Sequence, residues 1–145
     1  MKIQHLLICG VLACATTFAH AIEFRSASET AILYDSPSEK GRRLFIIIEG
    51  TPVEVVVALD KWVKVRDPNG NISWIEEARL SNKRTLIVKK RSTVRQRPEI
   101  NAPVAFEVED SLILEMESNP TDGWVKVRHM DGSSGFIRVA EVWGL

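Results

Sequence analysis

The chain has 145 residues, and its 19 Lys and Arg are matched by 19 Asp and Glu, so the formal net charge is zero. That balance argues against a nonspecific nucleic-acid binder, which needs a basic surface to displace counterions. Two cysteines and three histidines leave little material for thiol or metal chemistry.

The N-terminus reads as an export leader. Lys2 supplies the positive start, Leu6 to Phe18 the apolar stretch, and Ala19-His20-Ala21 a small-x-small cleavage pattern. Residues 1–21 are therefore expected to be a cleaved signal peptide, and the remainder periplasmic or secreted. The apolar stretch is too short to span a bilayer, and nothing later approaches the roughly 20 apolar residues of a membrane helix, so no transmembrane segment is expected. Val11-Leu12-Ala13-Cys14 offers an alternative, lipid attachment through Cys14. Cys9 and Cys14 both lie in the leader, so the exported chain has no thiol and no disulfide, and its stability has to come from packed apolar cores.

Beyond the leader, Ala31-Ile32-Leu33-Tyr34 reads as a short strand ended by the turn residues Asp35-Ser36-Pro37-Ser38. Leu44 to Ile48 and Val53 to Val57 are β-branched runs that favour strands over helices. In Trp62-Val63-Lys64-Val65-Arg66 the side chains alternate between faces. Val63 and Val65 form the natural core pair, which displays Trp62, Lys64 and Arg66 on the opposite face. Asp67-Pro68-Asn69-Gly70 predicts a hairpin into Ile72-Ser73-Trp74-Ile75. Glu76 to Leu80 suits one helical or 3₁₀ turn.

The same pattern then recurs. Trp124-Val125-Lys126-Val127-Arg128 repeats the earlier pentapeptide 62 positions later, and Gly132, Phe136 and Ile137 keep the same offset from Gly70, Trp74 and Ile75. Thr85 to Val88 with Thr93-Val94 is expected to supply the first strand of the second unit, followed by Val104 to Val108 and Leu112 to Met116. On this offset Gln96 stands where the first unit has Tyr34. The units are placed at 22–80 and 85–145, joined by a brief connector at 81–84. The basic residues Lys83, Arg84, Lys89, Lys90, Arg91, Arg95 and Arg97 read as a solvated connector and strand edge, or as a contact for an anionic surface.

Short strands, glycine-centred turns and a 60-residue unit indicate an all-β fold of two tandem small barrels. Each unit resembles a bacterial SH3-like domain on Gly50-Thr51-Pro52-Val53, Trp62 to Val65, Gly70 and Trp74-Ile75, and again on Trp124 to Val127, Gly132 and Gly135-Phe136-Ile137. Ser73 departs from the family's glycine, and Asp110-Ser111 replaces its glycine-containing turn. The resemblance implies two SH3-like barrels that bind cell-wall peptide or protein segments. It further implies that Trp62 and Trp124 line a peptide groove, which Tyr34 helps to form in the first unit.

Catalytic chemistry finds no support in the residues. His129, the one histidine beyond the leader, sits in a hairpin turn beside Asp131, and no Cys-His pair or nucleophile motif accompanies it. Zinc, calcium and phosphate-loop patterns are missing, so no metal and no cofactor is expected. The expectation is a non-enzymatic protein that binds a cell-wall peptide or envelope protein through Tyr34, Trp62, Lys64, Arg66 and Trp74, with Trp124 as a lesser counterpart. In the alternative, the protein is an assembly subunit whose aromatic faces are buried between the repeats or in a homodimer.

Overall fold

The computed structural model describes residues 21–145; the expected leader up to His20, with Cys9 and Cys14, lies outside the described residues. The first unit comprises β1 (Glu23–Ala27), β2 (Ala31–Tyr34), β3 (Arg43–Ile47), β4 (Pro52–Ala58), β5 (Trp62–Arg66) and β6 (Ile72–Glu76), then a 3₁₀ turn at Glu77–Arg79 and β7 (Leu80–Ser81). The second repeats it as β8 (Thr85–Val88), β9 (Ser92–Arg95), β10 (Val104–Val108), β11 (Ile113–Met116), β12 (Trp124–Arg128), β13 (Ser134–Arg138), a 3₁₀ turn at Val139–Glu141 and β14 (Val142–Trp143). Each unit forms one antiparallel seven-stranded sheet, in the orders β3-β2-β6-β5-β4-β1-β7 and β10-β9-β13-β12-β11-β8-β14. The all-β architecture of two tandem small barrels is the expected one. Among the described residues no helix is long and apolar enough to cross a membrane.

Alternation builds both cores. Val63 and Val65 pair across to Ile75 and Ser73, and Val125 and Val127 to Ile137 and Gly135. The four valines and two isoleucines are almost wholly buried, joined by Leu33 and Val53 in one core and by Leu86, Val94 and Leu114 in the other. Burying a side chain of this size contributes about 1.5–3 kcal/mol, which is how units this small hold together without a disulfide. The hairpin after β5 closes on the buried Asp67, whose carboxylate accepts hydrogen bonds from the Asn69 and Asn71 backbone amides, both 2.9 Å.

Three details differ from the sequence reading. The sequence pattern does not mark β1, because Glu23–Ala27 carries one large apolar residue; its buried residues are Phe24 and Ser26 on one face and Ala27 on the other. Thr85 to Val94 is two strands rather than one, divided by a turn at Lys89–Arg91. The third concerns register: Tyr34 pairs with Trp74, and Phe136, the counterpart of Trp74, pairs with Arg95. Arg95, not Gln96, therefore occupies the position of Tyr34, because the offset of 62 falls to 61 on these strands.

Conserved spacing also exposes where backbone geometry constrains sequence. Gly50 adopts φ +80°, and Ser111, its counterpart after β10, is forced to φ 64°. That region costs a side-chain-bearing residue about 1–2 kcal/mol. Gly135 has no room for a side chain, since a Cβ there would lie 2.6 Å from the Arg95 carbonyl oxygen and 2.7 Å from Val94 Cγ1. Ser73 fills the equivalent place in the first barrel, where its buried hydroxyl has no hydrogen-bond partner among the described residues.

The barrels meet at a defined junction. Phe24 of β1 packs edge-on against Trp143 of β14, with ring centroids 5.0 Å apart at 85°. Arg84 lies over Phe24 at 5.8 Å and donates a hydrogen bond to the Gly144 carbonyl at 2.9 Å. The Thr85 hydroxyl donates to the Gly50 carbonyl (2.7 Å), the Ser26 hydroxyl to the Lys83 carbonyl (2.8 Å), and Lys83 pairs with Glu115 at 3.0 Å. Part of the basic stretch is thus committed to this junction.

Candidate functional site

In the first barrel β2, β5 and β6 bring the aromatic side chains to one end. Tyr34 closes β2 and Trp62 opens β5, and their rings meet edge-on, 5.4 Å apart at 89°. Such T-shaped contacts set the positive edge of one ring against the negative face of the other. Tyr34 is only 6% exposed, so it supports Trp62 from beneath. Trp62 itself is half-buried.

Around Trp62 three loops raise the walls of an open groove of about 530 Å³. Pro37, Ser38, Glu39 and Lys40 come from the β2–β3 loop, Asp60 and Lys61 from the β4–β5 turn, and Glu76, Glu77 and Ala78 from the end of β6 and its 3₁₀ turn. Four carboxylates face two ammonium groups, so the lining is net acidic. Glu77 also pairs with Arg25 at 2.9 Å, an ion pair that raises the Arg25 guanidinium above its ordinary value.

Of the predicted site residues in this barrel only Trp62 lines the groove; Tyr34 backs it through its ring contact with Trp62, and Lys64, Arg66 and Trp74 lie elsewhere. Lys64 lies with its Nζ 5.7 Å from the centre of the Trp74 ring, within cation–π range, on the outer face of β5 and β6. Arg66 pairs with Glu54 across β4 and β5 at 3.5 Å. The sequence reading therefore divides into a Tyr34–Trp62 pair at the groove and a Lys64–Trp74 pair on the adjacent sheet face.

The second barrel departs from the first at the same place. Trp124 is 9% exposed rather than displayed, because Arg138 lies over its ring at 5.3 Å and Arg95 replaces the supporting tyrosine. Beside it is a cavity of about 350 Å³ lined by Lys90, Arg91, Arg95, Arg138, Ile100 and Glu141 among others. Its charge is opposite to that of the first groove. Arg91 is partly neutralised by Glu107 at 2.7 Å and Glu109 at 3.5 Å.

The loop residues of the first groove carry no sequence signal of their own, since three separate turns acquire a common purpose only once the barrel closes. His129 stays within its turn, 3.1 Å from Asp131, whose carboxyl is pulled down to about 2 mainly by the Ser133 backbone amide. No cluster of His, Cys, Asp and Glu able to hold a metal ion occurs among the described residues.

Two barrels of this size, each with an aromatic at the opening of its central strand and loops around it, define a tandem binding module. The bacterial SH3 domain family matches residues 27–82 and again 88–144, and the chain belongs to it. Solved structures with similarity include NlpC2 from Trichomonas vaginalis (12% identity, TM-score 0.40, covering 85% of this chain and 48% of that one). NlpC1 from the same organism gives 13% identity and TM-score 0.39 over 93% and 50%, and an NlpC/P60 family protein from Bacillus cereus 17% and 0.38 over 83% and 56%. The chain spans about half the length of these proteins. No curated protein matches it.

Proposed function

We propose that the protein is an exported, non-enzymatic binding protein that holds an extended cell-envelope peptide, foremost a peptidoglycan stem, in the groove of its first barrel. The observation that carries this reading is Trp62, half-buried on the groove floor and propped edge-on by Tyr34 beneath three polar loops. A rigid aromatic floor offers large contact area at little entropic cost, while the rim groups set orientation. The mixed lining, with Glu39, Asp60, Glu76 and Glu77 against Lys40 and Lys61, suits a peptide that carries both ammonium and carboxylate groups. Export rests on the leader pattern of residues 1–21, and the family's role as a binding module fits a sequence that beyond residue 21 has no cysteine and one histidine without a nucleophile motif.

Binding to purified peptidoglycan sacculi tests this reading. The chain from Ile22 onward, which contains every strand described, is expected to co-sediment with sacculi, and Trp62→Ala to reduce the bound fraction about tenfold. Equal retention of the two proteins would remove the cell wall as the ligand.

A further inference from the structure

The four edges of the two sheets are not alike. β7 and β14 are two residues long, too short to template another strand. β10 pairs only with β9, but it carries Glu107 near its end, and Glu109 follows it; Arg91 binds both. β3 also pairs with a single strand, β2, and its sequence through the following residues is Arg43-Leu44-Phe45-Ile46-Ile47-Ile48-Glu49. The register equates Ile46 and Ile48 with Glu107 and Glu109, since Ala31 pairs with Ile47 as Ser92 pairs with Val108. The fold therefore accepts charge at these two places, yet in the first barrel they are isoleucines exposed at 71% and 61%, with Phe45 beside them at 42%.

We propose that this edge joins a second copy of the chain, β3 to β3, antiparallel about a two-fold axis at Ile46. The occupant follows from the sequence of the edge itself. In that register Ile46 faces Ile46 of the second copy and Phe45 faces Ile47, while Arg43, beyond the bulge at Leu44, and Glu49, in the turn that follows β3, are brought to the same end from opposite copies. Opposite charges thus meet at both ends of an apolar centre. Arg43 and Glu49 are exposed, and neither has an ion-pair partner among the described residues, whereas the neighbouring Arg42 is held by Asp35 at 3.6 Å. A self-complementary patch is what a two-fold interface requires, and pairing satisfies the backbone groups that β3 leaves open on its outer side. The bulge between β2 and β3 at Leu44 confines the flat part of the edge to Phe45 and beyond. The two first-barrel sheets become one continuous sheet, while the Trp62 grooves, lined by loops and not by β3, stay open in both copies.

Because the chain beyond the leader lacks cysteine, directed cross-linking gives a clean test. Residues opposed across antiparallel strands have Cα atoms about 4.5–5.5 Å apart, within reach of a disulfide. Ile46→Cys in the chain from Ile22 onward is expected to form a covalent dimer under mild oxidation, and Val57→Cys, also an exposed position on an apolar stretch, to remain monomeric. In sedimentation the wild-type chain should dimerise, Ile46→Glu, which copies the second barrel, should weaken the dimer at least about tenfold, and the exchange Arg43→Glu with Glu49→Arg should restore what Arg43→Glu loses. Trp62→Ala should leave association unchanged, which separates this proposal from the groove. A wild-type chain that stays monomeric at about 100 μM, or a dimer indifferent to Ile46→Glu while that variant's circular dichroism shows a folded protein, would overturn it.

Discussion

The two barrels share strand order, core valines and hairpin geometry, but at the opening of the central strand they have become different objects. The first props a half-buried Trp62 on Tyr34 within an acidic rim; the second covers Trp124 with Arg138 and sets Arg95 in the tyrosine's place. The edges differ in the same way, with isoleucines on one and glutamates on the other. Core positions answer to packing, which both barrels satisfy alike. Loop and edge positions answer to whatever the barrel meets, so the contrast between copies separates residues the fold requires from residues it merely tolerates.

The largest expected effects lie where the barrels agree. Ile75→Ala and Ile137→Ala, both at fully buried positions, should each cost about 2–5 kcal/mol in urea unfolding. Since Phe24 and Trp143 interlock the units, both variants should lower one common transition; two transitions, each moved by only one variant, would show the barrels to be independent. Next comes the place where they disagree on backbone clearance. Gly135→Ser should lose about 1–3 kcal/mol, because its Cβ runs into the Arg95 carbonyl and Val94. Ser73→Ala, which removes a buried hydroxyl without a partner, should leave stability unchanged or slightly raised in the same assay.

Smaller still is the turn after the edge strand. Ser111→Gly makes the second barrel match Gly50 of the first and should raise stability by about 0.5–1 kcal/mol, the relief of a positive φ less the entropy glycine adds to the unfolded chain. The smallest effect is electrostatic. Glu117 bonds to Arg128, with Lys126 nearby, and is held below its ordinary 4.5. A lowered carboxylate stabilises the fold above its unfolded value, and that contribution fades as the pH falls through the folded one. Thermal unfolding followed from neutral pH to below 4.5 should therefore decline less steeply in Glu117→Gln than in the wild type.

Much of the architecture was legible in the sequence because alternation is local. Trp62–Arg66, Val104–Val108 and Trp124–Arg128 stand where the pattern places them. β1 escaped because Glu23–Ala27 buries small and polar side chains, which carry no hydrophobic signal. The Tyr34–Arg95 equivalence is hidden because the second copy carries one residue more between this strand and Trp124, and a one-residue slip reverses every face. The site was half legible: Tyr34 and Trp62 touch, but alternation alone could not foresee that Arg138, from the neighbouring strand, would cover Trp124. Nor could it assemble Pro37, Asp60 and Ala78 around one groove, since only barrel closure brings those turns together.

The contrast between the two tryptophans is therefore the feature to measure. Trp62→Ala and Trp124→Ala, each confirmed as folded, should be titrated against a soluble peptidoglycan stem peptide by calorimetry. The groove reading predicts that Trp62→Ala weakens binding about tenfold or more while Trp124→Ala binds like the wild type. Equal losses in both variants, or a loss confined to Trp124→Ala, would contradict it.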